Sequence, residues 1–404
     1  MPEQLSQYKF EVSTELESIL SYWIANTPDE NRGGFIGRIT HAHEKHFNAP
    51  RGSVLNSRIL WTFSAAFNYK REAVHLAMAR RAFDYFIQYF IDRRYGGVYW
   101  TVTAEGVAMD TKKQIYALSF AIYGLSEYYL ASGDESAREA AIQLYHDILK
   151  HSYDSRFGGY IEALGRDWSP IEDLRLSDKD ANERKSMNTH LHLLEGFTNL
   201  YRIWPDDSLK EKLYELVGLF MEHIISKDTY HLQLFFKDDW TPRSGVISYG
   251  HDVEAAWLIQ EALSILGDKK LLEYVKDYSV KIAEAAARGL DKDGGLWYEF
   301  DIDKNQLIRE KHWWPQAEAM VGFFNAWQCT GDKSWLSRSL QSWDFVKRYL
   351  KDKFGEWHWG VLVDYSVMDK EDKVGIWKCP YHNTRACIEI IRRINAIEKK
   401  QLLK

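Results

Sequence analysis

Cysteine is scarce: Cys329, Cys379 and Cys387 are the only three in 404 residues. A sparse, odd-numbered set argues against a disulfide framework and for a reducing compartment. No stretch approaches the length of a membrane-spanning helix, and Met1 to Leu16 lacks the apolar core of a secretion signal. Neither a membrane span nor export is therefore expected, and the expected location is cytoplasmic. With a net charge of −6 and no dense basic stripe, nucleic acid is not an expected partner. Proline is rare, at 8 residues, and no Pro- or Ser-rich linker interrupts the chain. Residues 1–404 are expected to form one domain, and a monomer. Metal signals are equally thin. Cys379-x-x-His382 is half a site with no second half, and His41-x-His43-x-x-His46 falls in a charged loop and reads as solvated.

Aromatic residues, by contrast, make up 15% of the chain, with 16 Trp, 24 Tyr and 19 Phe. Most are expected in the core. Many nevertheless sit beside loops or first helical turns, among them Trp61, Trp100, Trp314, Trp359 and Trp377. Sugar rings pack flat C–H faces on aromatic planes, so an aromatic cleft favours carbohydrate over a strongly charged ligand.

Two registers repeat along the sequence. Gly33, Gly96, Gly158, His231, Gly294 and Gly355 mark tight loops at steps of 63, 62, 73, 63 and 61 residues, the glycine-free Tyr230-His231-Leu232 being a degenerate member. Arg58, Tyr116, His192, His251, Trp314 and His382 recur at steps of 58, 76, 59, 63 and 68. Fixed-period self-similarity means repeated supersecondary units. Both ladders are long in their third interval, which places an insertion between Gly159 and His192. Each unit reads as two helical stripes followed by a short aromatic hairpin, as in Asn56–Lys70, Val74–Ile91 and Gly97–Val102. Six antiparallel pairs give about twelve helices and an all-α (α/α)6 barrel with hairpin-like loops at one pole, an open solenoid being the alternative.

A toroid brings equal phases of its repeats to one pole, so His192, His251 and His382 are expected to meet. On the helix from Met187, Asn188, His192 and Glu195 share a face, whereas His190 points elsewhere. His251 and Glu254 share another face, as do Trp314 and Glu318. Paired imidazoles, one neutral and one protonated, can take a proton from one face of a carbon and return it to the other. Arg58 could hold the charge developing on oxygen. This route needs no cofactor and no metal. A glycoside hydrolase would instead use paired carboxylates, with Glu254, Glu318 and Asp180 as candidates.

The segments Asn56–Ser64, His190–Glu195, Ser248–Ala255, Trp313–Ala319 and Tyr381–Asn383 together resemble the cellobiose 2-epimerases, within the N-acylglucosamine 2-epimerase superfamily. The resemblance implies epimerisation at C2 of the reducing-end glucose of β-1,4-linked disaccharides such as cellobiose and lactose. It implies catalytic roles for His251 and His382, which exchange the C2 proton through a cis-enediol, and for His192, which assists ring opening. Arg58, Tyr116, Asn188, Glu254 and Trp314 would bind or orient the sugar, with Trp313 and Glu318 of the same motif beside them. Trp377 would stack on the substrate and Asp180, in the inserted loop, would contact it. Asp252 follows His251 where the acylglucosamine epimerases carry proline, which favours the disaccharide enzyme and gives no reason to invoke a nucleotide effector. An aldose–ketose isomerase and an N-acylglucosamine 2-epimerase remain the alternatives within the superfamily.

Overall fold

The computed structural model describes residues 2–402 and contains, among them, twelve α-helices. They are α1 Pro2–Asn26, α2 Ser53–Lys70, α3 Ala73–Tyr89, α4 Ile115–Ser132, α5 Glu135–His151, α6 Met187–Ile203, α7 Asp207–Leu219, α8 Tyr249–Leu266, α9 Lys269–Ala287, α10 Trp313–Thr330, α11 Lys333–Phe345 and α12 Tyr381–Leu402. Helix α7 runs into a π-turn at Phe220–Ile224 and α11 into another at Val346–Leu350. The even-numbered helices form an inner ring in which α2 packs on α4, α4 on α6, α6 on α8, α8 on α10, α10 on α12 and α12 back on α2. Helices α3, α5, α7, α9 and α11 lie outside, each against its predecessor, and α1 covers α12. The ring closes, so the (α/α)6 toroid holds and the open solenoid does not.

The inner helices approach one another through glycines. A Cβ added to Gly124 of α4 would lie 2.6 Å from Ser57 O of α2, one on Gly196 of α6 2.6 Å from Ser119 O of α4, and one on Gly322 of α10 2.4 Å from Val253 O of α8. No side chain fits there. Inner helices end on left-handed residues, Gly133, Gly267 and Gly331 after α4, α8 and α10. Asp134, Asp268 and Asp332 follow at once and cap the next outer helix by accepting from its backbone N–H groups. Each of these three hairpins thus turns within two residues.

At the opposite pole each outer helix returns to the next inner one through a loop closed by an antiparallel bridge. The bridges are Pro28–Phe35, Ile91–Val98, Tyr153–Tyr160, Ile225–Leu232, Leu290–Leu296 and Lys351–Trp357. The glycine-free fourth loop has the same geometry because Tyr230 adopts φ +62. Short strands such as Val246–Ser248, Glu299–Asp301 and Gln306–Ile308 extend these loops around the mouth. No helix among the described residues is long and apolar enough to cross a membrane.

Candidate active site

Inner helices α2, α4, α8 and α10 begin at the loop pole with no side-chain cap, and the first N–H of α2, α4 and α10 donates instead to a loop carbonyl, Ser53 N to Trp100 O, Ile115 N to Glu162 O and Trp313 N to Trp359 O. Their positive dipole ends converge where the marker residues stand, a setting that favours developing oxyanions. His251 on α8 and His382 on α12 flank the indole of Trp314 on α10, with ring centroids 4.7 and 5.7 Å from it. His251 Nδ1 lies 2.7 Å from Ser248 Oγ, and His382 Nδ1 lies 2.7 Å from Glu318 Oε1. With Nδ1 engaged, Nε2 of each imidazole remains for chemistry. On the facing wall, Arg58 Nη2 donates to Tyr116 OH at 2.7 Å, and the Tyr116 ring meets His192 edge-on at 5.0 Å. His192 Nδ1 in turn lies 3.0 Å from Glu195 Oε2. Trp377 closes this side against Tyr116, 6.1 Å between centroids, and against Trp100.

One guanidinium ties the walls together. Arg385, a turn below His382 and buried, donates from Nη1 to Glu195 and from Nη2 to Glu254 Oε1 at 2.5 Å and Glu318 Oε1 at 2.6 Å. Tyr381 OH also donates to Glu195, and Trp257 Nε1 to Glu318 Oε2 at 3.2 Å. Glu254, Glu318 and His382 are close enough to suggest metal ligands. The carboxylate oxygens facing one another there are the ones Arg385 holds, so their cation is the arginine.

Three carboxylates around one cation cannot all ionise freely. Burial drives the Glu195 carboxyl up, but Arg385 and His192 outweigh it and hold it down at about 2. Glu254 is pushed well above the usual range by burial and by Glu318 beside it, and Glu318 is raised by burial against the pull of Arg385. Burial, with His192 nearby, lowers His251 to about 3. His382 falls well below its ordinary value through burial and the charges of Arg58 and Arg385. All three histidines are shifted toward the neutral form, His192 through burial as well. Glu254 and Glu318 are shifted in the same sense, toward their neutral, protonated form.

A profile described as N-acylglucosamine 2-epimerase (GlcNAc 2-epimerase) matches residues 34–386. The cellobiose 2-epimerase of Bacteroides fragilis is 50% identical over 385 residues, 95% of this chain and 98% of its own. That of Ruminococcus albus is 38% identical over 386 residues, again 95% and 98%. The structure of the cellobiose 2-epimerase from Bacillus thermoamylovorans superposes with a TM-score of 0.92 at 37% identity, covering 96% of this chain and 100% of that one. The chain belongs to the N-acylglucosamine 2-epimerase family. It is an epimerase, in the isomerase class.

Within this epimerase the structure brings Arg58, Tyr116, His192, His251, Glu254, Trp314, Glu318, Trp377 and His382 together at the loop pole of the inner ring. Asn188 stands one turn before His192, with Oδ1 unpartnered. Asp180 sits in the inserted loop, its carboxylate accepting from Ser177 N and Oγ at 2.8 and 2.9 Å, and makes no side-chain hydrogen bond to His192, His251 or His382. Trp313 packs behind the site against Trp359 at 4.6 Å, beneath Lys378, and is 2% exposed. His190 turns to the outer ring, where its Nε2 accepts from Tyr160 N at 2.9 Å. Cys379 Sγ lies 3.9 Å from Arg58 Nη1. Arg385 was not among the residues singled out from sequence. Its signal was present: Glu195, Glu254 and Glu318 fall three or four residues after a marker, and Arg385 falls three after His382. Buried acids at one phase require a cation at that phase.

Proposed function

We propose that the enzyme converts the reducing-end glucose of β-1,4-linked disaccharides, cellobiose and lactose, into mannose by inverting C2. His192, oriented by Glu195, assists opening of the ring. Arg58 and the uncapped helix ends favour negative charge on O1 as the C2 proton leaves and a cis-enediol forms. His251 and His382 stand on either side of Trp314, so after rotation about C2–C3 the second imidazole returns a proton to the opposite face. The partners of the two histidines suit an exchange of roles. Ser248 Oγ and the Glu318 carboxyl can each give or accept a hydrogen at Nδ1, so either Nε2 serves as lone pair or as N–H. When His382 Nε2 gives its proton to carbon, Nδ1 takes one from Glu318, and the balance is kept. Protonation at C1 instead of C2 yields a minor ketose.

The observation that carries this reading is the pair of imidazoles flanking one indole, 4.7 and 5.7 Å from it between ring centroids. A hydrolase would need one carboxylic acid and one free carboxylate across a scissile bond. Glu254 and Glu318 share a single guanidinium, which does not suit that task. Chromatography after incubation with cellobiose, lactose, mannose and N-acetylglucosamine tests the assignment. We expect the C2 epimers of the two disaccharides as main products. Free glucose from cellobiose, or ketose as the main product from mannose, would contradict it.

A further inference from the structure

The chemistry of the inner ring does not stop at the loop pole. Along α4, Tyr116 is followed down the same stripe by Tyr123 and Glu127; along α6, His192 by Glu195, Asn199 and Arg202; along α8, His251 by Glu254 and Glu261; along α12, His382 by Arg385, Glu389 and Arg392. From His192 to Arg202 the helix advances about 15 Å, toward the pole opposite the mouth. A toroid axis would ordinarily be filled with apolar side chains, because buried charge is costly. Here it carries a charged column through to solvent, where the Arg202 and Arg392 side chains are 37% and 42% exposed.

Below Arg385 the column holds a narrow pocket of about 20 Å³, lined by Trp61, Glu195, Trp257, Glu261, Arg385 and Glu389 among others. That volume accommodates a water molecule. Two buried donors on its walls, Trp61 Nε1 and Arg385 Nε, have no protein partner. Acids on several sides make water a better occupant of this pocket than an anion.

We propose that this axial column is a proton route, separate from the substrate mouth, joining His192 through Glu195 and the pocket water to Glu261 and Glu389 at the far pole. It rests on the epimerase reading above. In the outward direction His192 receives a proton from the sugar at Nε2 and releases the one on Nδ1 to Glu195. One N–H bond forms as the other breaks. The proton then passes through the water to Glu261 and out to solvent, and the inward direction reverses each transfer. Glu261 is suited to this work: burial, with Glu389 and Glu195 nearby, raises it to about 7 against the pull of Arg202 and Arg385. Glu389 is held between Arg393 and Arg392, 3.3 and 3.7 Å away, and Glu127 faces Arg202 at 3.5 Å. The route supplies His192 with bulk protons from the pole opposite the mouth.

The test is the double variant Glu261→Gln/Glu389→Gln, with Glu261→Gln alone as a milder second form, assayed on cellobiose at low and high concentrations of imidazole buffer. We expect an unchanged melting temperature and KM, and kcat lowered about tenfold at low buffer, as for loss of a proton-transfer group. Raising the buffer should restore kcat, because small carriers replace the relay, while wild-type turnover stays buffer-independent. Undiminished turnover, or a loss that buffer leaves untouched, would overturn the route. A wild type that forms no epimer would overturn the parent reading and the route with it.

Discussion

The inner and outer helices of this toroid are alike in length and come from the same repeats, yet only the inner ones carry chemistry. In α3, α5 and α9 a single stripe is buried, and the remaining faces meet solvent. In α2 and α4 every residue of the first fourteen is buried. The sides of an inner helix meet its neighbours and its back meets the outer ring, so only the axial stripe is free to be polar. Burial there lowers His192, His251 and His382, and equal phases from six helices converge. Position in the ring, more than residue type, decides which histidine faces the axis: His190 and His192 are two residues apart on α6 and face opposite ways.

The sharpest way to break this contrast is His382→Ala at the top of the axial stripe. We expect turnover to fall by about 10²–10⁴-fold, with the circular dichroism melt retained. One turn lower, Arg385→Met leaves three buried acids without their cation. Unfolding in urea should show a loss of about 3–5 kcal/mol, together with the loss of activity.

His190 sharpens the comparison from the other face of α6. It is fully buried, and burial lowers it to about 4. Between about pH 6.5 and 4 the unfolded chain binds a proton at this site that the folded chain does not, so stability falls as pH falls through that window. The full contribution is roughly 3 kcal/mol from the size of the shift. Urea titrations at pH 7 and 4.5 should show a shallower acid dependence in His190→Gln; an unaltered slope would refute the assignment. The smaller effects come from a matched pair of glycines. Gly196→Ala forces a Cβ against Ser119 O and should destabilise by about 1–3 kcal/mol. Gly218 on outer helix α7 has open space where its Cβ would be, and Gly218→Ala should stabilise by about 0.5–1 kcal/mol.

Most of this architecture was legible in the sequence because each repeat leaves two marks at one period. The loop ladder located all six bridges, including the one at Tyr230, and the marker ladder located the first two turns of the inner helices. The Gly-Asp pairs at 133–134, 267–268 and 331–332 are a third mark, since the glycine ends an inner helix and the aspartate starts the outer one. What sequence patterns conveyed poorly was depth. Trp313 and Trp314 are adjacent, yet one packs behind the site and the other stands between the histidines, a difference that depends on the entry angle of α10. Arg385 escaped notice because a charged residue inside a helix ordinarily reads as a solvated face, and the acids that demand it lie on three other helices.

The central claim is that two imidazoles on opposite sides of C2 exchange its proton. NMR of cellobiose incubated in D2O with the wild type, His251→Asn and His382→Asn tests it most directly. The account predicts deuterium at C2 of the epimer with the wild type, and no epimer with either variant. Substantial epimerisation by either single variant, with deuterium still entering C2, would contradict it.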